Sequence, residues 1–150
     1  MEKTEPNTSL VKVETEADMD TYNNIMIEVF HIGQKISKEA VLDQTGDLTF
    51  FLFKADDEVV GALRHNKKDL GYKIERVAIL SKHRRKGYGK TMIDLIVAEI
   101  KKIKAPEDKI FSYIQFQTKS FYLRCNFEVD TEHPMVIQNI EHYKAFYKEG

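Results

Sequence analysis

The sequence predicts one domain of α/β or α+β type with a largely antiparallel sheet at its front. Strand-like and helix-like patterns alternate along the chain, and one clean amphipathic helix follows a basic, glycine-containing turn. The 150 residues, 42% of them hydrophobic, suffice to fill one core of ordinary size. Seven glycines and three prolines argue against disorder or a fibrous repeat. Residues 1–8 read as a flexible leader and residues 9–150 as a single domain.

The elements follow in order. Residues 9–13 form a short strand candidate. From Glu16, apolar residues at Met19, Tyr22, Met26, Val29 and Phe30 keep helical spacing until Gly33. Residues 37–42 make a shorter helical piece. Residues 48–54 and 58–65 read as strands joined by a turn at Asp56 and Asp57, and residues 72–80 as an interior strand. The clean helix covers 91–104, with Met92, Ile96, Ile100 and Ile103 along one stripe and Pro106 beyond its end. A strand at 110–116, a short helix at 118–124 and extended chain from Phe127 complete the pattern. Residues 135–137 and 140–147 would pair as a terminal hairpin.

Charge excludes some partners. Twenty-three Lys and Arg against 24 Asp and Glu leave a net charge of −1, so no global field attracts a long nucleic acid. Residues 82–90 nevertheless carry Lys82, Arg84, Arg85, Lys86 and Lys90 without an acid, which suits a small anionic ligand. Cys125 is the sole cysteine, so no intramolecular disulfide can form, and a reducing cytoplasm is the expected setting. The first nine residues lack the apolar stretch of a signal peptide, and no apolar run nears the roughly 20 residues that span a bilayer. The five histidines show no metal-ligand spacing, so no metal is expected. Cys125 reads as a packed thiol.

The basic turn carries the most chemistry. A buried strand delivers the chain to Arg84, Arg85 and Lys86, and glycines 87 and 89 fall where a helix begins. Glycine lets backbone approach a ligand, and the first helical turn offers unpaired N–H groups at the positive end of the dipole. Together they describe either an anion site or a basic helix cap. The spacing matches neither a Walker loop nor the full dinucleotide fingerprint.

Arg84, Gly87 and Gly89 resemble the Arg/Gln-x-x-Gly-x-Gly/Ala motif of the GNAT superfamily of N-acyltransferases. The preceding run from Glu75 to Ile79 looks like that family's fourth strand. The run from Thr118 to Phe127, with Phe121 and Tyr122, is similar to its second motif. The segment from Lys73 to Val77 and the tail from Ile140 to His142 resemble the small bacterial YjcF-like branch. The resemblance implies a mixed, mostly antiparallel sheet of six to seven strands, about four helices, and a splay between strands four and five. It implies acetyl-CoA as co-substrate and direct transfer of the acetyl group to a primary amine of a small molecule or peptide. Val77, Ala78 and Ile79 would then hold pantetheine through their main chain. Arg84, Arg85, Lys86, Gly87, Tyr88, Gly89 and Lys90 would hold the pyrophosphate. Tyr122 would protonate the leaving thiolate, and Glu75 would act as general base, directly or through water. A blander reading makes Tyr122 a packed aromatic beside Phe121 and Phe127, and Glu75 a paired acid. Simple alternation places Glu75 on the face of Val77 and Ile79, unless a bulge intervenes.

The chain departs from the family pattern at three positions. Asn126 replaces a glycine, although asparagine tolerates positive φ. Thr118 replaces alanine, and Tyr113 stands where many relatives carry an asparagine that touches the coenzyme. A coenzyme A-binding sensor without transferase activity is the alternative reading. The acceptor would lie among residues 16–42 and 128–147. The phenylalanines at 50, 51 and 53 and the acids Glu28, Glu39 and Asp43 could favour a cationic amine, and a core strand and a solvated helix explain them equally well. His142 is a further residue that could approach it. Polyamine, aminoglycoside, amino acid and protein N-terminus all stay open, as does a homodimer.

Overall fold

The computed structural model describes residues 7–149. Residues 1–6 of the expected leader lie outside the described residues, and the first strand already begins at Thr8. The chain runs β1 (Thr8–Lys12), α1 (Glu16–Met26), α2 (Lys38–Val41), β2 (Leu48–Ala55), β3 (Glu58–Lys67), β4 (Gly71–Ile79), α3 (Tyr88–Ile103), β5 (Lys109–Gln115), α4 (Lys119–Arg124), β6 (Phe127–Ile137) and β7 (Ile140–Tyr147). Thr15 caps α1 by accepting from the Asp18 amide, with Glu16 and Asp18 at the positive end of the dipole. A π-helical turn, Ile27–Ile32, prolongs α1 to Gly33.

The strands form one seven-stranded sheet in the order β1-β2-β3-β4-β5-β7-β6. Every neighbouring pair is antiparallel except β4 and β5, which are parallel because α3 crosses over between them. At the β2–β3 turn, Asp56 and Asp57 both adopt left-handed backbone, with φ of 50° and 68°. Gln138 and Asn139 do the same at the β6–β7 turn.

Two helical layers cover the sheet. On one face, Met92, Ile93, Ile96, Val97 and Ile100 of α3 bury against Phe53, Leu63, Ile74, Ile110 and Phe127. Each such side chain contributes about 1.5–3 kcal/mol by leaving water. The apolar stripe is wider than the expected one and ends sooner: Ile103 is 57% exposed, because the last turn of α3 outruns the core. On the other face, Tyr22, Ile25, Met26, Val29 and Val41 pack on Leu52, Ala62 and Ala78. Ala62 and Ala78 are register partners, and their small side chains leave room for α1 there.

Candidate active site

The parallel pairing of β4 with β5 is short. It joins Gly71, Tyr72 and Lys73 to Lys109, Ile110 and Phe111 and then stops, so β4 from Ile74 to Ile79 has no strand partner on that edge. At the fork, the Ser112 hydroxyl donates to the carbonyl of Ile74 at 2.8 Å. Against β3, Ala78 pairs with Ala62 and Glu75 with Arg64, which leaves Arg76 and Val77 opposite Leu63. This is a β-bulge, and Arg76 carries it with a φ of 57°. The bulge overturns simple alternation. Val77 and Ile79 pack toward α3, whereas Glu75 turns to the opposite face, toward α1 and α2.

Past β4, a 3-10 turn (Ser81–His83) leads to Arg84, and Arg85 and Gly87 take positive φ of 64° and 78°. Gly87 is the N-cap of α3. No side chain caps this helix, and its first turn holds no acid. Its first N–H groups therefore lie open to an anion. Arg84, Arg85, Lys86, Gly87 and Lys90 are exposed, with Tyr88 and Gly89 half-buried. The Arg84 Nε donates to the carbonyl of Ile79 at 3.0 Å, tying the loop to the end of β4. Lys90 pairs with Asp94 at 2.8 Å.

The two glycines serve different ends. A Cβ on Gly87 would meet nothing within 4 Å, so only its left-handed backbone calls for glycine. A Cβ on Gly89 would lie 3.1 Å from the Phe121 ring, so glycine there lets α4 approach α3. The coenzyme that the sequence resemblance implies fits this ground: an uncapped helix start and basic loop for a diphosphate, continuous with an unpaired strand edge for an amide-bearing arm.

Tyr122 is 6% exposed, set edge-on to Phe121 and Phe127 at centroid distances of 5.2 and 5.4 Å. Burial pushes its phenol up to about 12, and the Ser112 hydroxyl opposes part of that rise. The phenol thus holds its proton at neutral pH. Packed aromatic and proton donor are compatible in this geometry. Asn126 has the left-handed φ expected of it, 69°, and its side chain donates to the carbonyl of Lys148 at 3.1 Å. Tyr113 lies under the Lys73 ammonium, 4.2 Å from ring centroid to Nζ. Cys125 is buried, and desolvation pushes its thiol up to about 11.

Glu75 is held between two cations, Arg64 Nε at 2.9 Å and Lys73 Nζ at 2.8 Å. Burial alone would raise its carboxyl, but Lys73 and Arg64 outweigh it and keep the group below its ordinary range. Near this cluster, Ser37, Glu39, Ala40, Asp43 and Gln138 line an open cleft of about 550 Å³ between α2 and the β6–β7 turn. Glu39 and Asp43, singled out in the sequence, thus share one wall, and Glu28 is not part of the lining. Of the three phenylalanines, Phe51 and Phe53 belong to the α3-side core, and Phe50 packs on Tyr22. His142 Nδ1 is engaged with the Ile140 carbonyl at 2.8 Å.

Sequence reading missed Ser112 and Arg64. Ser112 stands out in retrospect as the small polar residue in an apolar strand. Arg64, 7% exposed, shows no comparable signal, because its partners Glu75 and the carbonyl of Asp43 are 11 and 21 residues away.

Comparison with known proteins agrees with this geometry. Residues 46–129, more than half of the chain, match the model of the acetyltransferase (GNAT) domain. The fold is similar to that of an acyl-CoA N-acyltransferase from Pseudomonas aeruginosa, at 19% identity and a TM-score of 0.77, over 95% of this chain and 99% of that one. Escherichia coli ElaA is similar at 17% identity and a TM-score of 0.79, over 95% and 99%. A chimera of the spermidine N-acetyltransferase SpeG from Vibrio cholerae and hSSAT is similar at 14% identity and a TM-score of 0.69, over 93% and 94%. The splayed strands and the glycine-started helix fall within the matched segment, and this chain belongs to the GNAT acetyltransferase family, whose members use acetyl-CoA.

Proposed function

We propose that this chain transfers the acetyl group of acetyl-CoA directly to a primary amine of a small molecule or peptide. The observation that carries the reading is the continuity of three features: the unpaired edge of β4, the basic loop and the uncapped start of α3. The main chain of Val77, Ala78 and Ile79 holds the pantetheine arm. The N–H groups from Arg85 to Lys90 hold the pyrophosphate, with Arg84, Arg85 and Lys86 supplying charge. When bound, the coenzyme supplies an activated acetyl thioester.

Tyr122 is the proton donor to the leaving sulfur. Its elevated pKa keeps it protonated across neutral pH, and the Phe121 and Phe127 rings set edge-on to it fix its place. Glu75 lies on the α2 side of the sheet and takes up the proton of the amine through water. Lys73 and Arg64 keep the carboxylate ionised at neutral pH, so it is ready to accept that proton. The amine enters by the cleft of Glu39, Asp43 and Gln138, where carboxylates favour a cation.

Within the family we place the chain nearest the YjcF-like branch, on the segment from Lys73 to Val77 and the tail from Ile140 to His142. No helix of the described residues is long and apolar enough to cross a membrane. The lone, buried Cys125 supports a cytoplasmic setting. A homodimer belongs to the same reading and is checked by sedimentation.

The test is acetyl-CoA consumption with spermidine, an aminoglycoside, a free amino acid and a peptide with a free N-terminus. Turnover with at least one cationic amine is expected. Tight acetyl-CoA binding without turnover of any amine class would replace this reading with that of a coenzyme A sensor.

A further inference from the structure

The wall of the cleft poses a physical problem. Helix α2 has four residues, far too few to be stable on local hydrogen bonds. Something must fasten it to the sheet. Val41 is buried, and the Ser37 hydroxyl accepts from the Ala40 amide. Ile36 and Leu42 pack on the same core beside it, and two arginines reach up from the sheet to carbonyls of this segment. Arg64 Nη1 donates to the carbonyl of Asp43 at 2.8 Å, and Arg76 Nη2 donates to that of Ala40 at 2.8 Å. Those carbonyls belong to two residues that line the cleft.

The two arginines are unlike each other. Arg64 has a carboxylate partner in Glu75 and regular strand backbone. Arg76 takes part in none of the ion pairs among the described residues. It holds a left-handed backbone at φ 57°, and its Nε is buried without a hydrogen-bond partner. Positive φ in a non-glycine residue and an orphaned buried donor both cost stability. A position maintained for stability alone would shed such costs, and their coincidence points to function. The cation also lies 6.0 Å from the Phe30 ring, so one side chain touches both the π-helical turn and α2.

We propose that Arg76 is a positioning residue for the acceptor: the β4 bulge delivers its guanidinium to the Ala40 carbonyl, fixing the cleft wall at Ala40–Asp43. Binding of the amine depends on this contact and binding of the coenzyme does not. The inference rests on the reading that the amine uses this cleft. Arg76 immediately precedes Val77, so the residue that clamps the acceptor wall stands next to the strand edge assigned to the coenzyme.

The test compares wild type with Arg76→Gln and Arg76→Lys, using spermidine as probe amine. For Arg76→Gln, a rise of about tenfold in spermidine KM is expected, as for loss of one charge-assisted hydrogen bond. The kcat and the acetyl-CoA Kd should stay within about twofold on the same reasoning. Arg76→Lys, with its charge but not its planar fork, should fall between. In parallel, amide exchange at Val41, Leu42 and Asp43, whose N–H groups donate to Ser37, Lys38 and Ala40, should accelerate while α3 is unchanged. If wild type does not acetylate spermidine, that amine is removed from the reading and exchange alone decides on Arg76. If Arg76→Gln does not fold, Arg76→Lys carries both measurements. Unchanged exchange at residues 41–43, or a rise in acetyl-CoA Kd matching that in amine KM, would overturn the proposal.

Discussion

The loop assigned to the coenzyme and the cleft assigned to the amine are built from different kinds of contact. Around Gly87 the working groups are main-chain N–H donors, placed by local backbone: φ of 64° at Arg85 and 78° at Gly87, then an uncapped helix. Around Asp43 the working surface is a short helix held by side chains from distant strands, Arg64 at 21 residues and Arg76 at 36. The first region takes its shape mainly from local backbone, with the basic side chains adding charge and one tie, Arg84 to Ile79. The second depends on single long-range contacts, so one substitution can reshape it. A fixed coenzyme and a variable acceptor call for such a division.

The difference can be broken from either side. The largest effect is expected at Glu75, which is the one ion-pair partner of Arg64 and Lys73 among the described residues. Glu75→Gln leaves two partly buried cations facing each other and should lower stability by about 3 kcal/mol, as for breaking a buried ion pair. Urea unfolding checks it, with acetyl-CoA affinity at saturation largely preserved. Because the folded carboxyl titrates below its ordinary value of 4.5, its contribution is complete above that pH. It is lost as pH falls through the depressed folded value, and the Gln variant should lack this part of the acid sensitivity.

On the coenzyme side the next effect is smaller. Gly87→Ala meets no neighbour but must hold a left-handed backbone, a cost of about 1–2 kcal/mol. Acetyl-CoA Kd should rise about tenfold by calorimetry, with amine KM at saturating coenzyme unchanged. If amine KM rises equally, the two halves are coupled more tightly than their contacts suggest. The smallest effect belongs to Cys125, which lies within the Thr118–Phe127 run and takes no part in the proposed chemistry. With its thiol at about 11, it should resist alkylation at pH 8 until the protein unfolds, and Cys125→Ala should keep normal turnover.

How much could be read from the chain follows the same division. The alternation of elements, the amphipathic helix and the Arg84, Gly87 and Gly89 spacing are local patterns, and each has its counterpart in the fold. The left-handed turn at Asn126 was legible because asparagine is one of the few residues that accept it. The bulge at Arg76 could be allowed for but not located, since neither Arg76 nor Val77 carries a residue type that signals one, and it is the bulge that turns Glu75 to the other face. The end of the helical stripe was misjudged at Ile103 because periodicity says where a face lies, not how far the sheet beneath it extends. The clamp on α2 was invisible because carbonyl acceptors leave no mark in sequence.

In the proposed reading the chemical step rests on Tyr122 above all. Tyr122 is nearly buried and its phenol is pushed up by desolvation, so it stays protonated at neutral pH. The most direct measurement is steady-state turnover of Tyr122→Phe with whichever amine of the four-class panel wild type acetylates, beside acetyl-CoA affinity by calorimetry. Loss of the proton donor should cut kcat by about 100-fold or more, with acetyl-CoA affinity within about twofold of wild type. Unchanged kcat in a folded, coenzyme-binding Tyr122→Phe protein would contradict the assignment.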